Sequence, residues 1–542
     1  MLIKHSSRFM LLAMLILFTF ACNNETGEKK TDQADTSAVE TKTAPAEAPA
    51  LTATVAVSGG TIEGVNLEGV FAYKGIPFAA PPVGDLRWKS PQPVVPWEGI
   101  KKTDKFAPGP MQDTAFGAML GGPQEISEDC LYLNVWSGAK KIDEKRPVMV
   151  WIYGGGFGIG MTSSPAYDGT NLAKKGVVLV SVAYRLGPMG FLAHPELGAE
   201  ANGGSGTYGI QDQIAGLKWV KENIASFGGD PANVTIFGES AGGFSVFMLT
   251  ASPMAKGLFQ RAISESGGGL GPARMTLTQA EELGKKYLSD IGANNIAVAR
   301  ALSAEEIQKN TKGMGSFWPV PDGITIPTNM YEIYETGAFN DTPVLIGSNS
   351  NEGGLFVNQP LNSESFKAMV KGQYAAAAEE ILKAYPHATD AEATQSAKDL
   401  MRESTFAWPT WAWAKLHSRK SGNRAYVYYF DHRTEGVPGG ANHAAEIPYV
   451  FSNLGGPGPM NSKPATPEDV SLSELVGSYW VNFAKTGDPN SEGLPAWPAY
   501  NENDQMVMYI DGETGAKKHP DLDKIMAFDL YFTKLREGMN NK

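Results

Sequence analysis

The stretch from Phe227 to Gly242 constrains the fold more than any other part of the chain. It contains a loop, the strand-forming run Val-Thr-Ile-Phe and the pentapeptide Gly-Glu-Ser-Ala-Gly, and an apolar run follows at residues 244–249. Glycines flank Ser240 where a sharp turn between a strand and a helix has no room for side chains. Such a turn holds the serine in strained geometry at the head of a helix, where the dipole favours developing negative charge. The stretch therefore predicts a strand, a tight turn that carries Ser240 as a nucleophile, and a buried helix.

Short, uninterrupted apolar runs recur along the chain. Runs of this kind are typical of strands in a sheet that is covered on both faces. They occupy residues 147–153, 176–182, 234–237, 342–347 and 424–430. Helical stretches at 208–225 and 277–291 lie between them. This alternation indicates an α/β fold with a mostly parallel central sheet flanked by helices.

Two further features concern the ends and the caps of this sheet. The alternating residues 52–57, followed by Gly59-Gly60, predict an N-terminal hairpin. The regions 275–340 and 360–420 are interpreted as helical insertions that cap the sheet. We find no internal repeat, and we expect residues 51–542 to form a single catalytic domain.

Charge and hydropathy limit the partners of the chain. The 542 residues carry a formal net charge of −12, and no long basic tract is present, which argues against a nucleic-acid partner. The apolar run that ends at Ala21 follows Lys4 and Arg8 and predicts a signal peptide over residues 1–21. No later run is apolar for long enough to predict a membrane helix.

Cys22 stands directly after the predicted signal peptide. This position resembles a bacterial lipoprotein processing site, which makes Cys22 a candidate for lipidation, although Thr19-Phe20-Ala21 also fits an ordinary cleavage site. Residues 22–50 are polar and contain almost no large apolar side chain, so they predict a flexible spacer. The chain is therefore expected to be exported, to the periplasm or the outer surface, tethered to a membrane through its N-terminus or otherwise secreted.

Several segments resemble, in order, the motifs of the type-B carboxylesterase and cholinesterase family. Residues 227–242 resemble its serine signature and residues 128–135 its second signature. Further matching segments are 73–84, 151–157, 184–187 and 483–489. The resemblance covers the chain from about residue 52 onward and implies an α/β-hydrolase fold whose helical insertions form a gorge. One departure is Cys130, because the family's cysteine at this position often pairs with an upstream cysteine that is missing here.

A serine nucleophile needs a general base, and in α/β-hydrolases this histidine follows both the serine and the acid in the chain. His443 resembles the family's histidine segment and is the predicted base. The alternative is His432, which directly follows the same predicted strand. His519 lies in a charged stretch that we interpret as solvated, and His417 ends a predicted helix, so neither is expected to act as the base.

The acid that orients the base should follow a strand between Ser240 and His443. Glu352 follows the predicted strand 342–347 and resembles the family's glutamate loop, so it is the predicted acid. Asp322 is the alternative, and we interpret it as a turn residue.

The remaining site residues are implied by the resemblance. The oxyanion of the tetrahedral intermediate would be bound by the backbone amides of Gly155, Gly156 and Ala241. A buried polar network behind the triad would contain Glu239, Ser266 and Glu446. Ser266 lies in a second elbow-like segment, but the glycine two residues earlier is missing, so it is not expected to be a nucleophile.

Structural roles are implied for other residues. Arg185 with Asp212, and Arg87 with Glu128, resemble structural ion pairs of the family. Aromatic residues of the insertions are candidates for lining the gorge, although such residues are also common in a plain core. They are Trp318, Phe406, Trp408, Trp411 and Trp413.

The resemblance implies a serine carboxylic-ester hydrolase that acts through an acyl-enzyme on small to medium organic esters. We expect no cofactor and no metal, because no metal-ligand cluster is visible. An amidase, carbamate hydrolase or peptidase with the same triad stays an alternative, as does a non-catalytic adhesion protein of the same fold. The sequence does not define the physiological substrate or the oligomeric state.

Overall fold

The computed structural model describes residues 48–114, 125–201, 203–271, 275–311, 315–433, 439–455 and 464–540. The predicted signal peptide, Cys22 and the spacer up to residue 47 lie outside these ranges. Regular backbone pairing begins at the start of the described chain, where the amide of Leu51 donates to the carbonyl of Lys140 over 2.8 Å. Within the described ranges, none of the helices has both the length and the apolar character needed to cross a bilayer.

The strands alternate with helices along most of the chain. In chain order they are β1 (Thr54–Val57), β2 (Gly60–Glu63), β3 (Val65–Leu67), β4 (Val70–Pro77), β5 (Ile100–Lys102), β6 (Gly109–Pro110), β7 (Ile126–Ser127), β8 (Tyr132–Ser137), β9 (Arg146–Ile152), β10 (Val178–Val182), β11 (Gly229–Glu239), β12 (Arg261–Glu265), β13 (Val344–Asn349), β14 (Ala425–Phe430), β15 (Met506–Ile510) and β16 (Gly515–Lys518).

The helices connect and cover these strands. They are α1 (Thr170–Lys174), α2 (Gly187–Phe191), α3 (Pro195–Glu200), α4 (Tyr208–Asn223), α5 (Ala241–Ala251), α6 (Leu277–Asp290), α7 (Ile296–Ala301), α8 (Ala304–Gln308), α9 (Met330–Thr336), α10 (Gly353–Phe356), α11 (Ser363–Gln373), α12 (Ala378–Ala384), α13 (Asp390–Arg402), α14 (Trp408–Lys420), α15 (Ile447–Val450), α16 (Pro467–Thr486) and α17 (Leu522–Asn540). A π-helical turn at Glu403–Ala407 joins α13 to α14, and short 3-10 turns lie at Gly84–Leu86, Pro165–Tyr167, Ile224–Phe227, Pro253–Ala255 and Ala375–Ala377.

The main sheet has eleven strands in the order β16-β15-β14-β13-β12-β11-β9-β10-β8-β4-β3. Its centre, from β15 to β10 in that order, is parallel, whereas β8, β4 and β3 at one edge and β16 at the other are antiparallel. A second sheet consists of β1, β2 and β5, and its β1–β2 hairpin turns between Val57 and Gly60 as predicted. The prediction of a mostly parallel α/β sheet is therefore confirmed.

Burial explains why the apolar runs form the centre of the sheet. Every residue of β10, β13 and β14 is buried, because helices cover both faces. The runs predicted as strands correspond to β9, β10, β11, β13 and β14, and the predicted helices correspond to α4 and α6. In a parallel sheet all carboxyl ends lie along one edge, and the loops after these strands therefore converge there.

The two regions interpreted as insertions are largely helical and reach this edge. They contain α6 to α9 and α11 to α14. From the first region, the ring of Trp318 lies 4.6 Å from that of Phe157 in the loop after β9. From the second, the ring of Phe406 lies 4.9 Å from the imidazole of His443 in the loop after β14. The insertions therefore supply aromatic walls at the carboxyl ends of the strands.

Two ion pairs fix loops near this edge, as the resemblance implied. The guanidinium of Arg185, after β10, donates to both carboxylate oxygens of Asp212 in α4 over 2.7 and 2.8 Å. Their side chains are 3% and 0% exposed. Arg87 donates to Glu128 over 2.6 Å and also to carbonyl groups at the end of α7. Because the first pair is fully buried, either charge left alone would be strongly destabilising.

We expect Asp212→Ala to lower the free energy of unfolding by about 3–5 kcal/mol, since it leaves the charge of Arg185 buried and unpaired. Urea unfolding followed by circular dichroism measures this loss. The matched control is Asp290→Ala, which removes an exposed i,i+4 pair with Lys286 (52% and 71% exposed) and should cost only about 0.5 kcal/mol. Equal losses in the two variants would contradict the structural role of the buried pair.

Candidate active site

Ser240 lies in the turn that the sequence predicts. It stands between β11, which ends at Glu239, and α5, which begins at Ala241, and its backbone φ is 54°. A Cβ added at Gly242 or Gly238 would lie 1.9 or 2.5 Å from the carbonyl oxygen of Ile152. Glycine is therefore required on both sides by the close approach of β9, and the serine is held in a left-handed conformation.

His443 contacts both of the other predicted triad residues. Its Nε2 lies 2.8 Å from Oγ of Ser240, and its Nδ1 lies 2.5 Å from Oε2 of Glu352. The loops that carry the acid and the base are joined, because the amide of Asn351 donates to the carbonyl of Ala441 over 2.8 Å. This arrangement suits an imidazole that receives a proton from the serine while the carboxylate orients the ring.

Glu352 is fully buried and well supplied with hydrogen bonds. Its Oε1 accepts from the hydroxyl of Ser266 over 2.6 Å and from the amide of Asn349 over 2.7 Å, while Oε2 faces His443. The carboxylate is therefore fixed at both oxygens, which fixes the imidazole in turn. The hydroxyl of Ser266 is thus engaged by Glu352.

Glu239 provides a second carboxylate beside the imidazole. Its Oε1 lies 3.1 Å from Nε2 of His443, the same nitrogen that faces Ser240. Burial by itself lowers the pKa of His443, but the charges of Glu239 and Glu352 outweigh burial and raise that pKa above its usual range. Burial raises the pKa of Glu239 as well. The protonated imidazole is thus the form that these neighbours stabilise.

Glu446 joins the same cluster through a residue that the sequence did not single out. The side-chain amide of Asn349, at the end of β13, donates to Glu446 and to the carbonyl of Asn442. Burial raises the pKa of Glu446 too. The sequence feature that could have identified Asn349 is its position, as a polar residue at the end of a buried and mostly apolar strand.

Glu265 was also missed. It is fully buried at the end of β12, and the indole N–H of Trp480 donates to its Oε1 over 2.7 Å. In the sequence it appears only as a polar residue between Ser264 and Ser266, and its depth in the core is set by the neighbouring strands.

The glycine loop after β9 lies against the nucleophile. A Cβ added at Gly154 would be 3.0 Å from Cβ of Ser240, and one added at Gly155 would be 2.2 Å from the carbonyl oxygen of Ile159. Gly155 and Gly156 have φ of 105° and 61°. Ala241 opens α5, whose first backbone N–H groups have no partner within the helix. Gly154 and Ala241 therefore adjoin Ser240, and Gly155 and Gly156 continue the loop from Gly154.

Aromatic side chains border the site, but not all of the predicted ones do. The ring of Phe406 is tilted against the imidazole of His443, and the ring of Trp318 lies 5.3 Å from that of Phe244 in α5. The three tryptophans of α14, Trp408, Trp411 and Trp413, are instead buried in the core. Phe356 of α10, which the sequence did not single out, lies 5.1 Å from His443 and is 37% exposed. It therefore lies between the imidazole and solvent.

The alternative residues have other partners. Nε2 of His432 lies 2.8 Å from Oδ1 of Asp469, and the carboxylate of Asp322 accepts from the amides of a turn at residues 324–326. The charged neighbours of His519 in the sequence predicted that it is solvated, and this prediction is wrong because the residue is buried. Burial lowers its pKa to about 4. Burial lowers the pKa of His417 to about 4 as well, so it is a neutral core residue.

Two further expectations concern Cys130 and metal ligands. Cys130 is buried and free within the described residues. In the described ranges we find no group of three or more His, Cys, Asp or Glu side chains arranged to hold a metal ion. What the site presents is a serine, an imidazole and carboxylates beside backbone amides, which is suited to acyl transfer.

Comparison with known proteins agrees with this chemistry. The profile of the carboxylesterase family matches residues 51–527. The chain is 36% identical to the para-nitrobenzyl esterase of Bacillus subtilis, over 86% of this chain and 96% of that protein. It is also 36% identical to the fumonisin B1 esterase of Sphingopyxis macrogoltabida (83% and 85% covered) and 35% identical to carboxylesterase 1D of Rattus norvegicus (81% and 86% covered).

Solved structures agree in fold. A PNB esterase superimposes with a TM-score of 0.79 at 36% identity, covering 88% of this chain and 99% of that chain. The carboxylesterase EST55 of Geobacillus stearothermophilus superimposes with a TM-score of 0.78 at 34% identity, covering 88% and 100%. With its motifs, its α/β-hydrolase fold and the match over most of its length, the chain belongs to the carboxylesterase family.

Proposed function

We propose that this carboxylesterase hydrolyses carboxylic esters with Ser240 as nucleophile, His443 as general base and Glu352 as the acid that orients it. The observation that carries the proposal is the position of His443, 2.8 Å from the serine oxygen and 2.5 Å from the glutamate. Ser240 attacks the ester carbonyl while Nε2 of His443 takes the hydroxyl proton. The imidazolium then protonates the departing alcohol, and water hydrolyses the acyl-enzyme through the same base.

The tetrahedral intermediates carry negative charge on the former carbonyl oxygen. The amides of Gly155, Gly156 and Ala241 are proposed to donate to this oxyanion, because the glycine loop meets Ser240 at Gly154 and Ala241 follows the serine at the head of α5. Donors that are fixed before the reaction cost no reorganisation when charge develops. Gly155 allows the loop to adopt this conformation, because its φ of 105° favours glycine.

The surroundings favour apolar substrates of small to medium size. Phe356, Phe406 and Trp318 border the site with aromatic faces, and such faces bind apolar acyl or alcohol groups. In this family, a loop with three glycines also accommodates esters of bulky alcohols. A matched ester and amide of one acid distinguishes an esterase from an amidase with the same triad.

We also propose that the protein is exported and carries lipid on Cys22. The proposal rests on the apolar run before Cys22 and on the polar residues that follow it. Two or more acyl chains suffice for stable anchoring, and a spacer of this composition holds an enzyme off the membrane.

Ser240→Ala should remove nearly all esterase activity, on the order of 10⁶-fold in kcat, and His443→Ala should lose a similar amount because the two side chains act as a unit. The assay is hydrolysis of p-nitrophenyl esters. The matched control is His432→Ala, which removes a histidine bonded to Asp469 and should retain activity. A sulfonyl fluoride should add its mass only to the peptide that contains Ser240. Labelling of another serine, or loss of activity in the His432 variant alone, would contradict these assignments.

Gly155→Ala should lower kcat by at least ~10²-fold with the fold preserved, because the new methyl group displaces the loop and its donor. The methyl group would lie 2.2 Å from the carbonyl oxygen of Ile159. The control is Gly257→Ala, where φ is also positive but nothing lies within 4 Å. Thermal unfolding of both variants measures the cost of backbone strain. Their rates of ester hydrolysis measure the loss of oxyanion binding, which only the Gly155 variant should show. A folded Gly155 variant with normal kcat would show that the oxyanion is bound elsewhere.

Cys22→Ser should release a soluble enzyme with wild-type kcat, because the tether lies outside the catalytic domain. Fractionation of cells into membrane and soluble parts measures this release, and intact-mass analysis of the native protein detects the acyl chains. A mature N-terminus without lipid would establish simple secretion instead.

A further inference from the structure

Two of the buried carboxyl groups are neighbours across the sheet. Glu239 of β11 is in register with Glu265 of β12, and Glu265 is in register with Gly347 of β13. Residues in register on adjacent parallel strands point to the same face of the sheet. Tyr428 of β14 is next in the row, and its ring lies over Gly347, where an added Cβ would be 2.3 Å away. The row thus places two carboxyl groups side by side at the carboxyl ends of the strands.

The carboxyl groups around His443 differ in what compensates their charge. Glu352 receives two hydrogen bonds and faces Nδ1 of the imidazole. Glu239 faces Nε2 of the same ring, and Glu446 accepts from Asn349. Glu265 accepts only from the neutral indole of Trp480, through Oε1, while its buried Oε2 has no hydrogen-bond partner. It is therefore the carboxyl with the least to stabilise a negative charge.

The charges that act on Glu265 also oppose its ionisation. They belong to Glu446 and Glu239, and both are negative when ionised. A buried carboxylate without a cation is costly, so such a group takes up a proton instead. In agreement with this geometry, burial and the charge of Glu446 raise the pKa of Glu265 well above its usual range.

Several buried oxygens in the same region have no hydrogen-bond partner. Carboxyl oxygens without a hydrogen-bond partner occur on Glu239, Glu265 and Glu446, and the hydroxyl of Tyr428, which can donate one hydrogen, is also unpaired. Oε1 of Glu239 lies 3.1 Å from Nε2 of His443 without a hydrogen bond to it, and the same nitrogen lies 2.8 Å from Oγ of Ser240. Buried polar atoms are nearly always paired and an ionised carboxylate can only accept, so a proton on one of these carboxyl groups would give its neighbours a donor.

We propose that Glu265 carries a proton in the resting enzyme and is a positioning residue: its carboxyl donates a hydrogen to the neighbouring buried carboxyl groups and so keeps Glu239 ionised beside His443. The proposal rests on the proposed triad chemistry. Glu265 does not touch the substrate; it acts through Glu239, whose charge stabilises the imidazolium formed during attack. The titratable groups of this cluster are Tyr167, Glu239, Glu352, Tyr428, His443 and Glu446.

The first test compares Glu265→Leu with Glu265→Gln through the pH dependence of kcat/KM. The base works only when neutral, so activity falls as pH drops through the pKa of His443. Without the hydrogen from Glu265, Glu239 takes up a proton more readily and loses its charge. The pKa of His443 then falls, and the acid limb of the Leu variant should move to lower pH by about one unit. Its kcat should fall with KM near the wild-type value.

The Gln variant should keep the wild-type acid limb, because a side-chain amide is also neutral and also donates. A shift of equal size in the Gln and Leu variants would show that Glu265 is ionised in the wild type. An unshifted limb in both variants would show that it has no positioning role. Either result overturns the proposal. Glu352→Gln is the comparison within the same cluster, and it should lose most activity because that carboxylate must be charged.

The second test does not depend on activity. Difference infrared spectra of wild type and Glu265→Gln should show loss of a protonated-carboxyl stretching band at neutral pH. Loss of only carboxylate bands would overturn the proposal, and this readout stays available if the Leu variant does not fold. Labelling of Ser240 by a sulfonyl fluoride tests the proposed function separately. A labelled, active enzyme without the infrared band would refute the role of Glu265 alone.

Discussion

The imidazole of His443 is held between two carboxylates in a site from which water is largely excluded, and the rest of the site depends on this arrangement. Nδ1 faces Glu352 at 2.5 Å, and Nε2 lies within 3.1 Å of both Ser240 and Glu239. Burial disfavours the imidazolium, whereas the flanking charges favour it. The charge that forms during attack is therefore stabilised by groups already in place. Such a concentration of carboxyl groups in turn requires donors or protons to compensate it.

The parallel sheet explains how so many polar groups meet in a buried place. Ser240, Ser266, Glu352 and His443 follow β11, β12, β13 and β14 in turn, and these strands are adjacent. Each loop therefore delivers one member of the network to the same edge. The residues at the carboxyl ends of these four strands are buried, which makes this edge rigid. Tight positioning of reactive groups follows from strand order, and the segments need no proximity in sequence.

Much of the fold and the triad could be predicted from the sequence. Apolar runs give the central strands, and the glycines around Ser240 give the turn, because both are local consequences of packing. Glu265, Asn349 and Phe356 could not be predicted in this way. Their roles depend on what adjacent strands and loops place beside them, and a single sequence does not show register. His519 illustrates the opposite error, since its charged neighbours in sequence suggest solvent although the residue is buried.

Ser266 shows that the elbow alone does not make a nucleophile. Its φ of 49° is close to the 54° of Ser240, and its amide donates to the carbonyl of Gly347 as that of Ser240 donates to Glu265. The two serines thus occupy equivalent turns on adjacent strands. The hydroxyl of Ser266, however, donates to Glu352, whereas that of Ser240 faces an imidazole beside the glycine loop. The group that contacts the hydroxyl therefore decides whether the serine can act as a nucleophile. The strained turn only presents the hydroxyl.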